Sequence, residues 1–266
     1  MKFRTHFIIF LVLLIINFAI CWFFVDLSTF RVPEKVKFKS VDKEEALVFK
    51  YNEASGTTKL EINMPDSYGN PVIEELKARK NPKNPKKLKY KYKDDNNKKK
   101  SIFVIKYSKD DDDDFKVFLS RKEEDYSDED LSEKEEEAKS NSKEDAKKES
   151  LVCKVKFGDG KLKIGTDEEL TKYYEIRNMT ERKKKKSISK LKVYNMKGEY
   201  VASVSKSSDS GKIKVKKVIK EQENKEDLYS TKDLKYLSYA VGVMGLESMN
   251  PKLRAVIAAE LIKKGK

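Results

Sequence analysis

Residues 234–262 read LKYLSYAVGVMGLESMNPKLRAVIAAELI, and this stretch decides the fold. From Leu234 to Met249 only Lys235 and Glu247 are charged, and apolar residues fall on every face. Such a helix has to be buried in protein or in lipid. The 16 residues from Leu234 to Met249 would span only about 24 Å. That is short of the roughly 30 Å bilayer core but suits the axis of a small barrel. Ser230 or Thr231 can cap the helix and Asp233 sits in its first turn, which predicts a helix over about 232–249. Gly242 and Gly245 weaken a helix, so they point to a backbone passing close to surrounding strands. Asn250-Pro251 stops this helix and starts a second over about 251–263. There Leu253, Val256, Ile257 and Leu261 form one apolar stripe. The expectation is a core helix at Leu234–Met249 with an amphipathic helix packed at its mouth. The rival, a membrane span across Tyr236–Ile262, is opposed by Glu247, Pro251, Lys252 and Arg254 in its middle.

Upstream of this stretch the chain alternates. Lys59-Leu60-Glu61-Ile62-Asn63-Met64, Leu88-Lys89-Tyr90-Lys91-Tyr92-Lys93 and Lys212-Ile213-Lys214-Val215 place polar residues on one face and apolar ones on the other. Asp66-Ser67-Tyr68-Gly69-Asn70, Asn81-Pro82-Lys83-Asn84-Pro85 and Gly158-Asp159-Gly160 are turn signals between such runs. About ten to twelve short strands result. No helical pattern separates them, so the sheet is expected to be antiparallel, with one wet and one buried face. A sheet of that length curls or closes. The predicted fold class is mainly β with C-terminal α: an antiparallel barrel of about 10–12 strands around a hydrophobic C-terminal helix.

Phe7–Val25 is a run of 19 residues in which Asn17 is the only strongly polar one. It is long enough for a transmembrane helix, and no small-residue cleavage pattern follows it. Residues 1–25 therefore read as a retained N-terminal signal anchor, single-pass in a membrane, and 26–35 as a linker containing Val32-Pro33. The barrel domain takes 36–266. Within it, about 121–150 is Glu, Asp, Lys and Ser with almost no apolar residue, and reads as a disordered acidic insertion. Long surface insertions cost little closure entropy. The functional alternative is a strip that covers a basic sheet.

The chain has 59 Lys+Arg and 45 Asp+Glu. Asp110–Glu149 alone holds 18 acidic and 8 basic residues, which leaves 51 basic against 27 acidic elsewhere. A surface that basic attracts polyanions, although lysine also protects sheet edges. The best contact candidates are Lys89, Lys91 and Lys93, and the run Arg182, Lys183, Lys184, Lys185 and Lys186. Tyr90 and Tyr92 alternate with the first set and are expected to face the core. The expected function is a non-enzymatic, membrane-anchored module that binds acidic lipid headgroups or an acidic partner. The alternative is a structural or assembly protein of a cell envelope that acts as an interaction scaffold. Nucleic acid is a poorer partner, given the anchor and the lack of clustered exposed aromatics. The single histidine, His6, and the two distant cysteines, Cys21 and Cys153, speak against a histidine triad or zinc centre. Asp110–Asp114 lacks the glycine and ligand spacing of a calcium loop. No catalytic residue, metal or cofactor is expected.

Many antiparallel strands followed by a very apolar C-terminal helix resemble the Tubby C-terminal-like superfamily, which includes Tubby domains, LURP-one-related proteins and phospholipid scramblases. The resemblance is carried by KLKVYNMKGEYVASV (Lys190–Val204), by GKIKVKKVI from Gly211, and by LSYAVGVMGLESM followed by NPKLRAVIAAELI from Leu237. It covers 36–266 outside the acidic insertion. It implies a roughly twelve-stranded barrel around a central helix, with phosphoinositide recognition by basic side chains or membrane association. No specific binding motif of the family is matched, so it assigns no individual residue.

Overall fold

The computed structural model describes residues 31–66, 68–93, 97–108, 113–120, 149–183, 186–219 and 225–266, without the side chains of 180–188. The expected anchor over 1–25, the first half of the linker (26–30) and the bulk of the acidic insertion lie outside the described residues.

Alternation builds the wall. In β3 (Thr57–Pro65), Thr58, Leu60, Ile62 and Met64 are buried while Lys59, Glu61 and Asn63 are not. The other strands are β1 (Lys35–Ser40), β2 (Glu45–Asn52), β4 (Pro71–Arg79), β5 (Lys87–Lys93), β6 (Lys99–Tyr107), β7 (Phe115–Leu119), β8 (Ser150–Gly158), β9 (Lys161–Gly165), β10 (Tyr173–Lys183), β11 (Lys186–Tyr194), β12 (Tyr200–Lys206), β13 (Ile213–Val218) and β14 (Lys225–Thr231). Each pairs antiparallel with its sequence neighbours, and β14 returns to β1 to close the barrel. Pairs such as Leu47↔Ile62, Phe49↔Leu60 and Leu60↔Leu76 keep the apolar faces aligned from strand to strand. Register shifts at Phe38/Lys39, Tyr90/Lys91, Val117/Phe118, Val193/Tyr194 and Val215/Lys216 add the local bends that closure needs. Asp159 (φ 50°) and Gly160 (φ 69°) form the two-residue turn between β8 and β9, where a left-handed backbone matches the strand twist.

Fourteen strands are present among the described residues, rather than ten to twelve. The strand most easily overlooked is β14. It opens on Lys225, Glu226 and Asp227, a poor strand sequence, and is held as a strand by pairing with β13 and β1. Ser230 and Thr231 belong to it and are buried, so they do not cap a helix.

The interior holds two helices. The first, α1 (Tyr239–Met244), is capped by Ser238, whose Oγ accepts from the Ala240 N–H at 3.1 Å. The second, α2 (Pro251–Lys263), is capped by Asn250, whose Oδ1 accepts from the N–H groups of Lys252 and Leu253 at 3.0 and 3.3 Å. They run antiparallel: Arg254 near the start of α2 donates to the Met244 carbonyl at the end of α1 (3.3 Å), and Ser238 before α1 donates to the Lys266 carbonyl after α2. The helix α1 packs on β10–β13, and α2 packs on α1 and β3.

This corrects two expectations. The stretch Leu234–Met249 is not one long helix but a six-residue helix between turns. The amphipathic helix expected at the mouth is instead the most deeply buried element, with Leu253 through Ile262 all buried, Arg254 and Glu260 included. Barrel diameter grows with strand number. A fourteen-stranded wall encloses more volume than one helix fills, and the second helix supplies the difference.

Because all neighbours are antiparallel, successive turns alternate between the two ends of the barrel. Residues 31–34 lead into β1 at the same end as the β10–β11 turn and Lys263–Lys266. The β3–β4 turn, the β7–β8 connection and the start of α2 lie at the other end.

Candidate functional site on the outer wall

With its interior filled, the barrel presents its chemistry outward, and charge is distributed unevenly around it. Strands β2–β4 carry both signs. Lys50 meets Glu61 (2.6 Å), Lys59 bridges Glu61 and Glu75 (2.9 and 2.6 Å), and Lys77 closes the chain on Glu75 (2.8 Å). Beside this ladder an open cleft of about 420 Å³ is lined by Glu45, Glu61, Glu75, Asn63 and the exposed Ile73. It has the wrong sign for an anionic ligand.

Strands β5–β9 are different. They carry twelve lysines and no aspartate or glutamate. Register sets four of these lysines side by side: Lys87↔Lys106, Lys106↔Lys116 and Lys116↔Lys154. Neighbouring strands lie about 4.8 Å apart, and like charges directly opposite destabilise a sheet. Carboxylates from outside the strands compensate. Glu149 bridges Lys87 (3.1 Å) and Lys106 (2.6 Å). Glu168 pairs with Lys116 (2.6 Å), and its carbonyl accepts from Lys154 (2.8 Å). Burial opposes ionisation of Glu149, but the two ammonium groups outweigh it and hold the carboxyl below its usual pKa.

A depressed folded-state pKa contributes stability that is present above the unfolded value and lost as pH falls through the folded one. Stability is therefore expected to fall as acid is added below about pH 4.3, with Glu149→Gln showing a shallower slope. At neutral pH that variant is expected to lose about 1 kcal/mol. Urea titrations of both proteins at pH 7 and pH 3 check this. Parallel pH profiles would contradict the assigned role of Glu149.

The expected contact residues fall on two separate parts of this surface. Lys89 and Lys93 are exposed on β5 and Lys91 is half-buried, with Lys91 opposite Lys77 and Lys93 opposite Lys99. Tyr90 faces inward as expected and is fully buried, and Tyr92 packs partly against the core. Arg182, Lys183 and Lys186 lie on the β10–β11 hairpin, and Lys184 and Lys185 at its turn are outside the described residues. Four strands, β6 to β9, separate the two groups.

The hairpin has a geometry that sequence did not reveal. Pairing of β10 with β9 ends at Arg177↔Lys161, and pairing of β11 with β12 ends at Lys190↔Ser205. Among the described residues, the rungs Thr180↔Ser189 through Lys183↔Lys186 have no third strand. Four rungs at about 3.3 Å each carry the tip roughly 13 Å past the last rung shared with β12. At its base Arg177 stacks over Tyr194 (4.8 Å) and donates to Glu175 (2.7 Å), while Tyr194 and Tyr200 lie 5.8 Å apart. This aromatic grouping needed the β11–β12 pairing to form.

Inside, Glu260 accepts hydrogen bonds from Tyr90 (2.6 Å) and Tyr107 and pairs with Lys263 (2.6 Å). Burial, then the Glu260 charge, pushes both tyrosine hydroxyls well above their ordinary pKa and keeps them as donors. Arg254 donates to Met244 and, at 3.1 Å, to the Pro65 carbonyl. These groups seat α2 in the wall. In the sequence, Arg254 served only as an argument against a membrane span; the missed signal was Arg254 and Glu260, six positions apart and alone in charge within the apolar run Leu253–Ile262. Cys153 is buried, and burial pushes its thiol up to about 12. Among the described residues no three His, Cys, Asp or Glu side chains converge as a metal site, and no helix is long and apolar enough to cross a membrane.

Fold and wall together define a closed antiparallel β-barrel with a helical-hairpin core and a broad lysine sector over β5–β9 whose strands contain no acidic residue. No family model matches the sequence, and no curated protein or solved structure matches the chain.

Proposed function

We propose that this chain is a membrane-tethered, non-enzymatic β-barrel module that binds acidic lipid headgroups through its basic outer surface. The observation that carries the reading is the free-standing β10–β11 hairpin at the end where residues 31–34 lead into the barrel. The apolar segment 7–25 would bring a bilayer to that same end. The nine residues 26–34 reach at most about 30 Å, enough for a tip roughly 13 Å high to touch the surface. Each Lys or Arg at an anionic leaflet adds about 1 kcal/mol, and the tip sequence supplies five. Lys89, Lys91 and Lys93 lie on the side wall and serve this reading less well. The Tubby-like resemblance is in keeping with it, since an antiparallel barrel here surrounds apolar C-terminal helices. The two additional strands and the second helix depart from the family pattern.

Residues 31–266 contain every element of the closed barrel and its core, and flotation of this piece with vesicles tests the reading. Salt-sensitive binding to vesicles with acidic headgroups is expected, and none to neutral ones. Neutralising Arg182–Lys186 to glutamine is expected to weaken binding at least about ten-fold. Absent or salt-insensitive binding by the unmodified piece, or no loss in the variant, would sink it.

A further inference from the structure

We infer that the lysine face of β5–β9 is a docking surface for this chain's own acidic segment, residues 121–148. The reading shares with the proposed function only the premise that the lysine surface takes anions. Three observations carry it.

The first is charge. The five strands that make this face carry twelve lysines and no carboxylate. Glu123–Glu137 has ten acidic residues and one lysine. No other stretch of the chain is so acidic, and β5–β9 form the longest run of neighbouring strands without an acidic residue.

The second is position. The segment leaves the wall after β7 and returns at β8, so it springs from within the five-strand sector it matches. Five strands at about 4.8 Å spacing make a face roughly 24 Å wide. A 28-residue segment folded back on itself reaches about 45 Å, so both edges of the face are within range.

The third is where the described chain resumes. Glu149 is the first described residue after the segment, and it already lies across the face, bonded to Lys87 of β5 and Lys106 of β6. That contact shows that a carboxylate at the end of the segment already reaches the lysines of β5 and β6. Docking of the segment adds further carboxylates to the row Lys87, Lys106, Lys116 and Lys154 that Glu149 and Glu168 already meet. One consequence is a division of the basic surface. The side wall is occupied from within, and the projecting hairpin remains for an outside anion.

Zero-length carbodiimide cross-linking of the full chain in neutral detergent micelles, read by mass spectrometry, tests this. Cross-links within one chain are expected from carboxylates of Glu123–Asp145 to Lys89, Lys106, Lys116 or Lys154. They are expected to disappear in 1 M salt, where the screening length falls to about 3 Å. Replacing the acidic residues of 121–148 by Asn and Gln, with length unchanged, is expected to raise acylation of the same lysines several-fold. Acylation of Lys59, held by Glu61 and Glu75, is expected to stay constant. Cross-links only between chains would make a second copy the occupant and overturn the inference. So would cross-links spread evenly over all lysines, or unchanged acylation in the neutral variant. Flotation and cross-linking fail independently: loss of vesicle binding leaves these cross-links in place, and their absence leaves the hairpin's binding untouched.

Discussion

Replacing Glu260 by alanine is expected to lower the stability of the barrel by about 3–5 kcal/mol. The carboxylate is fully buried and serves three partners, the hydroxyls of Tyr90 and Tyr107 and the Lys263 ammonium. Alanine leaves two buried hydroxyls without an acceptor and an ammonium without its counter-charge, and each unsatisfied group carries its own desolvation cost. Glu260→Gln keeps an acceptor for one tyrosine and should lose about half as much. Tyr107→Phe removes one donor, at about 1–1.5 kcal/mol. In the E260A background it should cost far less, because the bond is already gone. Urea denaturation followed by circular dichroism gives all four values. An E260A protein within about 1 kcal/mol of the parent would mean that this cluster does not seat α2.

The same cluster sets a pH signature. Burial, then Glu260, raises the folded-state pKa of Tyr90 and Tyr107. A raised folded value means that the contribution is complete below the unfolded tyrosine pKa of about 10 and is lost as pH climbs above it. Stability should fall steeply from about pH 10 upward. The Tyr90→Phe, Tyr107→Phe double variant should show a flatter alkaline limb.

The second large effect is steric. A Cβ at Gly245 would lie 2.9 Å from the Cβ of Ala202 and 3.0 Å from Cγ1 of Val215, both on the barrel wall. The Ala202 Cβ is fixed to its backbone and cannot rotate away. Gly245→Ala is therefore expected to cost about 1–3 kcal/mol by overpacking. Gly242 offers an internal comparison. Its added Cβ would meet Ile176 at Cδ1 (2.9 Å) and Cγ2 (3.0 Å), atoms of a side chain that can turn. The gain in helix propensity, about 1 kcal/mol, offsets much of that contact. Gly242→Ala should be clearly milder, and Ala202→Gly should rescue Gly245→Ala in part. Equal costs at the two glycines, or no rescue, would contradict the close approach of α1 to β12 and β13.

Much of the wall was legible from residues alone. The alternation of Lys59-Leu60-Glu61-Ile62 maps directly onto outward and inward faces, because a strand's side-chain period is two. Gly158-Asp159-Gly160 marked its turn, because few residues accept a left-handed backbone. Asn250-Pro251 marked the start of α2 through its cap and its missing donor. By contrast, β14 was not legible, since Lys225-Glu226-Asp227 has no strand preference and acquires one only from the partners on either side. The candidate site was legible as composition but not as arrangement. Lys89 and the 182–186 run look alike in sequence, yet one lies on a side wall and the other on a projecting hairpin. Glu149 and Glu168 gave no signal, because their role depends on lysines brought together by register across four strands.

The sequence by itself determined that apolar residues near the C-terminus must be enclosed, that the strands are antiparallel, and that the surface is basic with one acidic stretch. These follow from local properties: periodicity, turn chemistry and charge. Only the tertiary structure decided which apolar helix lies deepest, how many strands enclose it, and which lysines stand in a row. Those depend on closure. The number of strands sets the interior volume, and that volume decided that the second helix, marked by Asn250-Pro251, lies inside beside the first rather than at the barrel's mouth.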